Sequence, residues 1–237
     1  MQRNEFHKKK SKKNAILLFT LLRFLQIVII SLCLEIIKGK IILFKMKKIA
    51  IFASGSGTNA QRIIEYFSGN NSVQISIVLS NRKDAFVLER AKNLNVANLY
   101  FTKDQLYTNG FVLDLLLELH IDLIVLAGFL WFVPAEILRA FPRKIINIHP
   151  ALLPKYGGRG MYGLKVHEAV KQNHDNESGI TIHYVNEKYD EGETIFQAVC
   201  PVIPQDNAED IADKVHLLEY RYYPEIIEKI LEQNQND

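Results

Sequence analysis

Cysteine is nearly absent from this sequence. Of its 237 residues only Cys33 and Cys200 carry a thiol. Two cysteines this far apart, in unlike surroundings, build neither a disulfide framework nor the paired spacing of a zinc site. Such scarcity is typical of a reducing compartment, and we expect the protein in the cytoplasm.

The chain also lacks a net positive charge once its first segment is set aside. The formal net charge is +3, but ten Lys or Arg residues and only two acidic residues fall within residues 1–45. Residues 46–237 therefore hold 19 basic and 24 acidic residues. A nucleic-acid-binding domain needs clustered basic side chains. We expect this domain to bind small molecules and no nucleic acid, and its composition leaves the oligomeric state open.

Residues 1–45 lack a clear place in any one class of segment. Residues 15–34 form an apolar stretch of roughly the 20 residues that a membrane span needs, but Arg23 and Gln26 interrupt it. No small-x-small cleavage site precedes Met46, which directly precedes a strand-like run. The segment is interpreted either as an extension that is not native, with the protein beginning at Met46, or as a membrane-associated segment. Only the second interpretation makes a membrane a partner.

Short apolar runs alternate with helical patterns from Met46 onward. Runs such as 123–127 are apolar at consecutive positions, as in strands that are covered on both faces. The predicted strands are residues 48–53, 73–79, 97–101, 121–127 and 144–148. The predicted helices between them are residues 58–67, 84–95, 109–119 and 134–140. This alternation predicts an α/β fold with a doubly wound, mostly parallel, Rossmann-like sheet.

The pattern changes after residue 160. A helix over 164–173 precedes two longer strands, 178–186 and 193–202, and the chain closes with a long helix over 207–233. The two strands are separated by a short turn, which predicts an antiparallel extension of the sheet. No repeat or linker divides residues 46–237, so we predict one domain after the N-terminal extension.

A loop of glycines and small polar residues follows the first predicted strand and opens a helix. The amides of Gly57, Thr58 and Asn59 would point out of the helix N-terminus, which favours an anion. The hydroxyls of Ser54 and Ser56 suit phosphate oxygens. A phosphate monoester site is the preferred interpretation.

The same loop also fits a dinucleotide-binding fingerprint. Gly55, Gly57 and Ala60 stand at the G-x-G-x-x-G/A spacing. The second strand, however, ends on Leu79-Ser80-Asn81-Arg82, without the acidic residue of an NAD site. Because Arg82 would suit a 2′-phosphate, an NADP-dependent oxidoreductase stays open as an alternative.

An asparagine and a histidine close the fifth predicted strand. Asn147 and His149 are two residues apart and therefore project to the same side of a strand. The amide is a donor for a developing oxyanion, and the imidazole can move protons. Asp190, in the turn between the last two strands, would raise the pKa of His149 if it lay nearby. His183 is open as a core residue, a partner of these side chains or a metal ligand, and we assign no metal.

These elements together resemble the phosphoribosylglycinamide (GAR) formyltransferase family of folate-dependent enzymes. The matching segments, in family order, are IAIFASGSGTNAQRII, SNRKDAFVLERA, DLIVLAGF, INIHPALLPKY, GITIHYVNEKYDEGETIFQ and VHLLEYRYYP. They cover most of residues 48–224 and none of residues 1–45. The resemblance implies formyl transfer from 10-formyltetrahydrofolate, as co-substrate, to the amine of GAR in de novo purine synthesis.

The resemblance also implies roles for particular residues. The catalytic residues would be Asn147, His149 and Asp190. The GAR-binding residues, with the phosphate on the glycine loop, would be Gly57, Thr58, Asn59 and Glu219. The folate-binding residues would be Leu130, Trp131, Phe132, Val133 and Asn147. No metal is implied.

The sequence departs from the family pattern at three places. Trp131 replaces an arginine, the segment 157–163 replaces a shorter stretch, and residues 102–110 contain no arginine. These departures imply that the folate contacts differ in detail from those of the family. Three alternative functions also stay open. The chain could be another enzyme that uses 10-formyltetrahydrofolate, such as a deformylase or a different amine formyltransferase. It could be the NADP-dependent oxidoreductase, or a non-catalytic ligand-binding module tethered to a membrane.

Overall fold

The structure is a computed structural model that describes residues 46–233. Both interpretations of residues 1–45 concern residues outside this range and stay predictions. Within the described range, no helix combines the length and the apolar character that crossing a membrane requires.

Seven strands form one mixed sheet in the order β3-β2-β1-β4-β5-β6-β7. The strands are β1 Lys47–Phe52, β2 Val73–Ser80, β3 Asn98–Tyr100, β4 Leu123–Leu126, β5 Ile145–His149, β6 Glu177–Tyr184 and β7 Thr194–Pro201. The first five are parallel, whereas β6 runs antiparallel to both β5 and β7. The predicted α/β fold, with its antiparallel extension and final long helix, is confirmed.

Within the described residues, seven helices connect and cover the strands. They are α1 Thr58–Tyr66, α2 Phe86–Asn93, α3 Lys103–Tyr107, α4 Phe111–Glu118, α5 Ala135–Ala140, α6 Leu164–Gln172 and α7 Ala208–Gln233. The predicted elements agree with these bounds to within two residues. The short α3 was not predicted, although Thr102 and Gln105 form a capping box at its start, which is a signal visible in the sequence.

Alternate residues of the central strands belong to two different cores. Ile49 and Ile51 of β1 pack on the side of α1, α2 and α7, whereas Ala50 and Phe52 pack on the side of α3, α4 and α5. Because both faces are covered, the strands read as continuous apolar runs.

The strand order also places a crevice at one edge of the sheet. The chain leaves β1 toward β3 on one side and returns to β4 on the other side of β1. At such a reversal the connections diverge and leave a crevice beyond the carboxyl ends of the strands.

Candidate functional site

A cleft of about 810 Å³ opens at the carboxyl ends of β1, β4 and β5. It is lined by residues 54–59 after β1, 127–130 after β4, and 147–150 at the end of β5. Residues 158–164 form another part of its wall. The structure thus brings together the glycine loop, the start of the predicted folate-binding segment and the end of β5 with Asn147 and His149.

The glycine loop turns sharply into α1 at Gly57. Its φ is 76°, and an added Cβ would lie 2.3 Å from Cγ2 of Val87, so only glycine fits. No side chain caps this helix, and its first amides therefore keep their hydrogen-bonding capacity toward the cleft. The arrangement suits an anionic group.

The Ser54 side chain, in contrast, has a structural role. Its hydroxyl donates to Oδ1 of Asn81 at 2.7 Å and accepts from the amide of Leu130 at 2.9 Å. The backbone amide of Ser54 also donates to the carbonyl of Gly128. The prediction that this hydroxyl is suited to phosphate is wrong, because the side chain is already used to join the ends of three strands.

Asn59 and Glu219, both predicted to bind GAR, lie in contact. Nδ2 of Asn59 donates to Oε2 of Glu219 at 2.8 Å, and Nε2 of His216 lies 4.0 Å from the same oxygen. Burial raises the pKa of the Glu219 carboxyl, while Asn59 and the charge of His216 act in the opposite direction. Oδ1 of Asn59 is buried without a hydrogen-bond partner.

The predicted catalytic residues converge around a second histidine. Nδ1 of His149 lies 3.6 Å from Oδ2 of Asp190, and Nε2 of His183 lies 3.7 Å from Oδ1. Nε2 of His183 also lies 3.2 Å from Nδ2 of Asn147, its cross-strand neighbour. We call Asn147, His149, His183 and Asp190 the reaction centre.

Carbonyl groups fix the tautomers of both histidines. Nε2 of His149 is 2.8 Å from the carbonyl oxygen of Tyr156, and Nδ1 of His183 is 2.9 Å from that of Tyr184. Since a carbonyl only accepts, these nitrogens donate. In neutral rings Nε2 of His183 then accepts from Asn147, and Nδ1 of His149 presents its lone pair on the side of Asp190.

The protonation of His149 differs from the expectation. Burial lowers its pKa below the usual value, and the charge of His183 adds to this, whereas Asp190 and the Tyr156 carbonyl act to raise it. The prediction that Asp190 acts to raise the pKa of His149 is confirmed, but the net shift is downward. Desolvation of a ring that is only 4% exposed outweighs the carboxylate.

Asp190 itself stays ionised in this setting. Burial tends to raise its pKa, but His183, His149 and the amide of Gly158 together lower it. That amide donates to Oδ2 at 2.9 Å. The site therefore pairs an ionised carboxylate with a neutral imidazole at neutral pH.

Gly192 explains how the turn places Asp190. A Cβ at this position would lie 1.6 Å from the carbonyl oxygen of Tyr184, so the turn closes against β6 only with glycine. Asp190 adopts a left-handed φ of 55°, a conformation that aspartate tolerates better than most residues.

Hydrogen bonds fasten the loop that follows His149. The hydroxyl of Thr181 donates to the carbonyl of Ala151 at 2.7 Å and accepts from the amide of Leu153 at 2.9 Å. Gln197 donates to both Thr181 and the Leu153 carbonyl. The loop is thus held by β6 and β7 and covers His149 from solvent.

The five predicted folate-binding residues, Asn147 included, line a smaller cavity of about 80 Å³ beside the cleft. Leu130 is exposed, while the Trp131 ring packs against Phe101 and Tyr107. The Phe132 ring contacts that of Tyr189, and Val133 is buried in the core. The residues that line both cavities are Phe129, Leu130, Asn147, Tyr189 and Asp190.

Two further histidines, which were not singled out from the sequence, line the cleft. His216 lies one turn before Glu219 on α7, a spacing that could have drawn notice once Glu219 was chosen. His167 lies on the buried face of α6 and carries no local signal. Among residues 46–233, no three His, Cys, Asp or Glu side chains are grouped as metal ligands.

Comparison with known proteins identifies the class to which this site belongs. The formyl transferase family model matches residues 47–227, so the chain belongs to the formyl transferase family.

The relatives of the chain carry a more specific name than the family model does. The chain is 39% identical over 196 residues to the chloroplastic phosphoribosylglycinamide formyltransferase of Arabidopsis thaliana, covering 80% of this chain and 67% of the relative. It is 39% identical over 187 residues to the phosphoribosylglycinamide formyltransferase of Haemophilus influenzae, covering 77% and 86%. The crystal structure of glycinamide ribonucleotide transformylase 1 from Symbiobacterium toebii superposes with a TM-score of 0.72 at 34% identity, covering 80% and 89%.

Proposed function

We propose that this protein transfers the formyl group of 10-formyltetrahydrofolate to the amine of GAR, a step of purine synthesis. One observation carries the proposal. Asn147 and Asp190 belong to the walls of both cavities, so a group held in one meets a group held in the other at these side chains. The larger cleft offers the anion-binding helix terminus, and the smaller cavity offers an apolar wall.

Binding follows from the same two cavities. The GAR phosphate is bound by the amides of Gly57, Thr58 and Asn59, and Glu219 contacts the rest of that substrate. The folate is bound along Leu130, Trp131, Phe132 and Val133. Because the Trp131 side chain is turned toward Phe101 and Tyr107, this residue meets the folate mainly with its backbone.

The transfer begins when the GAR amine attacks the formyl carbon. A C–N bond forms, and the formyl oxygen becomes an oxyanion. Nδ2 of Asn147 carries two hydrogens: one is donated to His183, and the other is donated to the oxyanion and stabilises it. A donor of this kind contributes about 10²–10³-fold to the rate. His183 holds the amide so that its nitrogen, not its oxygen, faces the substrate.

Proton transfer completes the reaction. The attacking amine must lose a proton, and N10 of the folate must gain one before the old C–N bond breaks. Neutral His149 accepts the proton at Nδ1. Oδ2 of Asp190 lies 3.6 Å from this nitrogen, and its charge stabilises the imidazolium that forms. The proton then passes to N10, so the products are formyl-GAR and tetrahydrofolate.

The other candidates have weaker support. An oxidoreductase would use Arg82 for a 2′-phosphate, but this residue is paired with Asp84 at 2.9 Å. A deformylase would need no phosphate-binding loop. The cytoplasmic location and the lack of a nucleic-acid partner remain predictions, as does the boundary at residue 46.

The experiment mixes the full chain with GAR and 10-formyltetrahydrofolate and measures formyl-GAR by mass spectrometry. We expect formyl-GAR to appear in step with tetrahydrofolate. Formate release without an amine product would indicate a deformylase instead. NADPH oxidation or binding, tested in parallel, would indicate the oxidoreductase.

A further inference from the structure

The side chains of His149 and Asp190, which act on the proton in the proposed reaction, are held by one short segment, residues 156–158. Nε2 of His149 donates to the carbonyl of Tyr156 at 2.8 Å. The amide of Gly158, two residues later, donates to Oδ2 of Asp190 at 2.9 Å. The position of this segment therefore helps to set the distance between the imidazole and the carboxylate.

The backbone of this segment is unusual at Tyr156. Its φ of 57° lies in the left-handed region, where residues with a Cβ are uncommon. Such a conformation persists where neighbouring contacts impose it. The hydrogen bonds from Thr181 and Gln197 reach the loop as far as Leu153, before the segment begins. Residues 157–160 are mainly glycine and bring few side chains to hold it.

The hydroxyl of Tyr156 supplies the missing support. It donates to Oδ2 of Asp175 at 2.8 Å and accepts from Nδ2 of Asn173 at 2.8 Å. Asn173 directly follows the last residue of α6, and Asp175 lies between α6 and β6. The Tyr156 ring packs against the hydrophobic core. We call Tyr156, Asn173 and Asp175 the hydroxyl anchor, because they join the segment to the end of α6.

The hydroxyl anchor lies apart from the bound substrates of the proposed reaction. Its three side chains are not among the residues that line the cleft or the smaller cavity. An effect of the Tyr156 hydroxyl on the reaction must therefore pass through the segment to His149 and Asp190. It cannot arise from a contact with a substrate.

We propose that the hydroxyl anchor positions the His149 ring and the Asp190 carboxylate for proton transfer, which makes Tyr156 a positioning residue. The hydroxyl fixes the place of the segment, the Tyr156 carbonyl fixes the tautomer of His149, and the Gly158 amide fixes the carboxylate. The inference rests on the proposed function, because that function gives His149 and Asp190 their task.

Removal of the hydroxyl tests the proposal. Tyr156→Phe keeps the ring that packs on the core but loses both hydrogen bonds of the anchor. We expect kcat to fall about 2- to 12-fold, the value of one hydrogen bond, while the KM values for GAR and 10-formyltetrahydrofolate stay unchanged. Tyr66→Phe is the matched control, because it also removes a hydroxyl–carboxylate hydrogen bond, to Glu228 at 2.6 Å, between residues that line neither cavity. It should leave kcat unchanged.

Variants of Asp175 test whether the anchor acts as a unit. Asp175→Ala removes the acceptor of the hydroxyl and should lower kcat about as much as Tyr156→Phe. Asp175→Asn keeps an oxygen that accepts the hydroxyl, so it should retain most of the wild-type kcat. The double variant Tyr156→Phe/Asp175→Ala should be no slower than either single variant, since both remove the same bond. Additive losses would overturn the proposal.

Nitrogen NMR of the His149 ring reports the positioning without turnover, with His149→Gln assigning the signals. In the wild type Nε2 should carry the proton, whereas in Tyr156→Phe the ring should populate both tautomers. An unchanged ring in Tyr156→Phe would overturn the proposal. A fall in kcat that comes with higher KM values, or that Tyr66→Phe shares, would overturn it too. If the wild-type protein forms no formyl-GAR, the proposed function fails, whereas the ring signals still decide whether the hydroxyl positions His149.

Discussion

The reaction centre differs in its hydrogen bonding from Asn59 and His167, two other polar residues that line the same cleft. In the reaction centre both ring nitrogens of His183 and the Asn147 amide have protein partners. Asp190 is held by the amide of Gly158. Asn59 and His167, in contrast, each have a buried side-chain atom without a hydrogen-bond partner in the protein.

The difference shows a division of tasks between rigidity and affinity. Side chains that act on the transition state must be aligned before the substrate arrives, so their geometry is completed by the protein. Side chains that bind an unreactive part of the substrate gain more if the ligand supplies the missing partner.

The largest expected effect concerns the reaction centre. Asp190→Asn preserves shape and an acceptor for Gly158 but removes the charge that stabilises protonated His149. We expect kcat to fall about 10²–10⁴-fold, with little change in Tm or in the KM for GAR. Steady-state kinetics and thermal unfolding measure both. In addition, the pKa of His149, followed by NMR titration, should fall further in the variant, because Asp190 acts to raise it.

The Asn147 amide should matter almost as much. Asn147→Ala removes the oxyanion donor, and we expect kcat to fall about 10²–10³-fold. His183→Ala keeps the amide but removes its partner, and we expect a loss of about 2- to 12-fold, the value of one orienting hydrogen bond. Equal losses in the two variants would show that His183 takes part in the chemistry directly.

The two glycines of the glycine loop test the binding side of the cleft. Gly57→Ala meets both a positive φ and the Val87 side chain, so we expect a loss of about 2–4 kcal/mol of unfolding free energy and a higher KM for GAR. Gly55→Ala is the matched control, since a Cβ there meets no atom within 4 Å. Denaturant unfolding should leave the control within about 0.5 kcal/mol of the wild type.

Acid unfolding gives the smallest expected effect. The pKa of His167 is about 4 in the folded protein against 6.5 in the unfolded chain. The unfolded state then binds the extra proton, so stability falls as pH drops from about 6.5 to 4. His167→Leu should flatten this decline, by at most about 3 kcal/mol. If the unfolding free energy falls equally with pH in the wild type and the variant, the ring of His167 has the same pKa in the folded and the unfolded protein.

The fold was predictable because its signals are local. Apolar runs covered on both faces identify β1 and β4, and turn signals separate β6 from β7. The reaction centre was accessible for a similar reason, since Asn147 and His149 stand at the carboxyl end of a strand, where α/β proteins bind ligands.

The rest of the site depends on tertiary structure. His167 stands among apolar residues at helical spacing, so its sequence context is that of a core residue. Only the packing of α6 against α7 brings it to the cleft. The sign of the His149 pKa shift likewise depends on the loop fastened by Thr181, whose burial of the ring has no local signature.

The change of strand direction at β5 has a consequence for synthesis of the chain. Because β6 pairs with β5 from the carboxyl-terminal side, His183 and Asp190 leave the ribosome after the glycine loop and the first five strands. A nascent chain that ends before residue 177 already contains the glycine loop and Asn147, yet it lacks the carboxylate of Asp190. Catalysis is thus a property of the finished polypeptide, acquired in a late step when an incoming strand adds itself to the edge of an existing sheet.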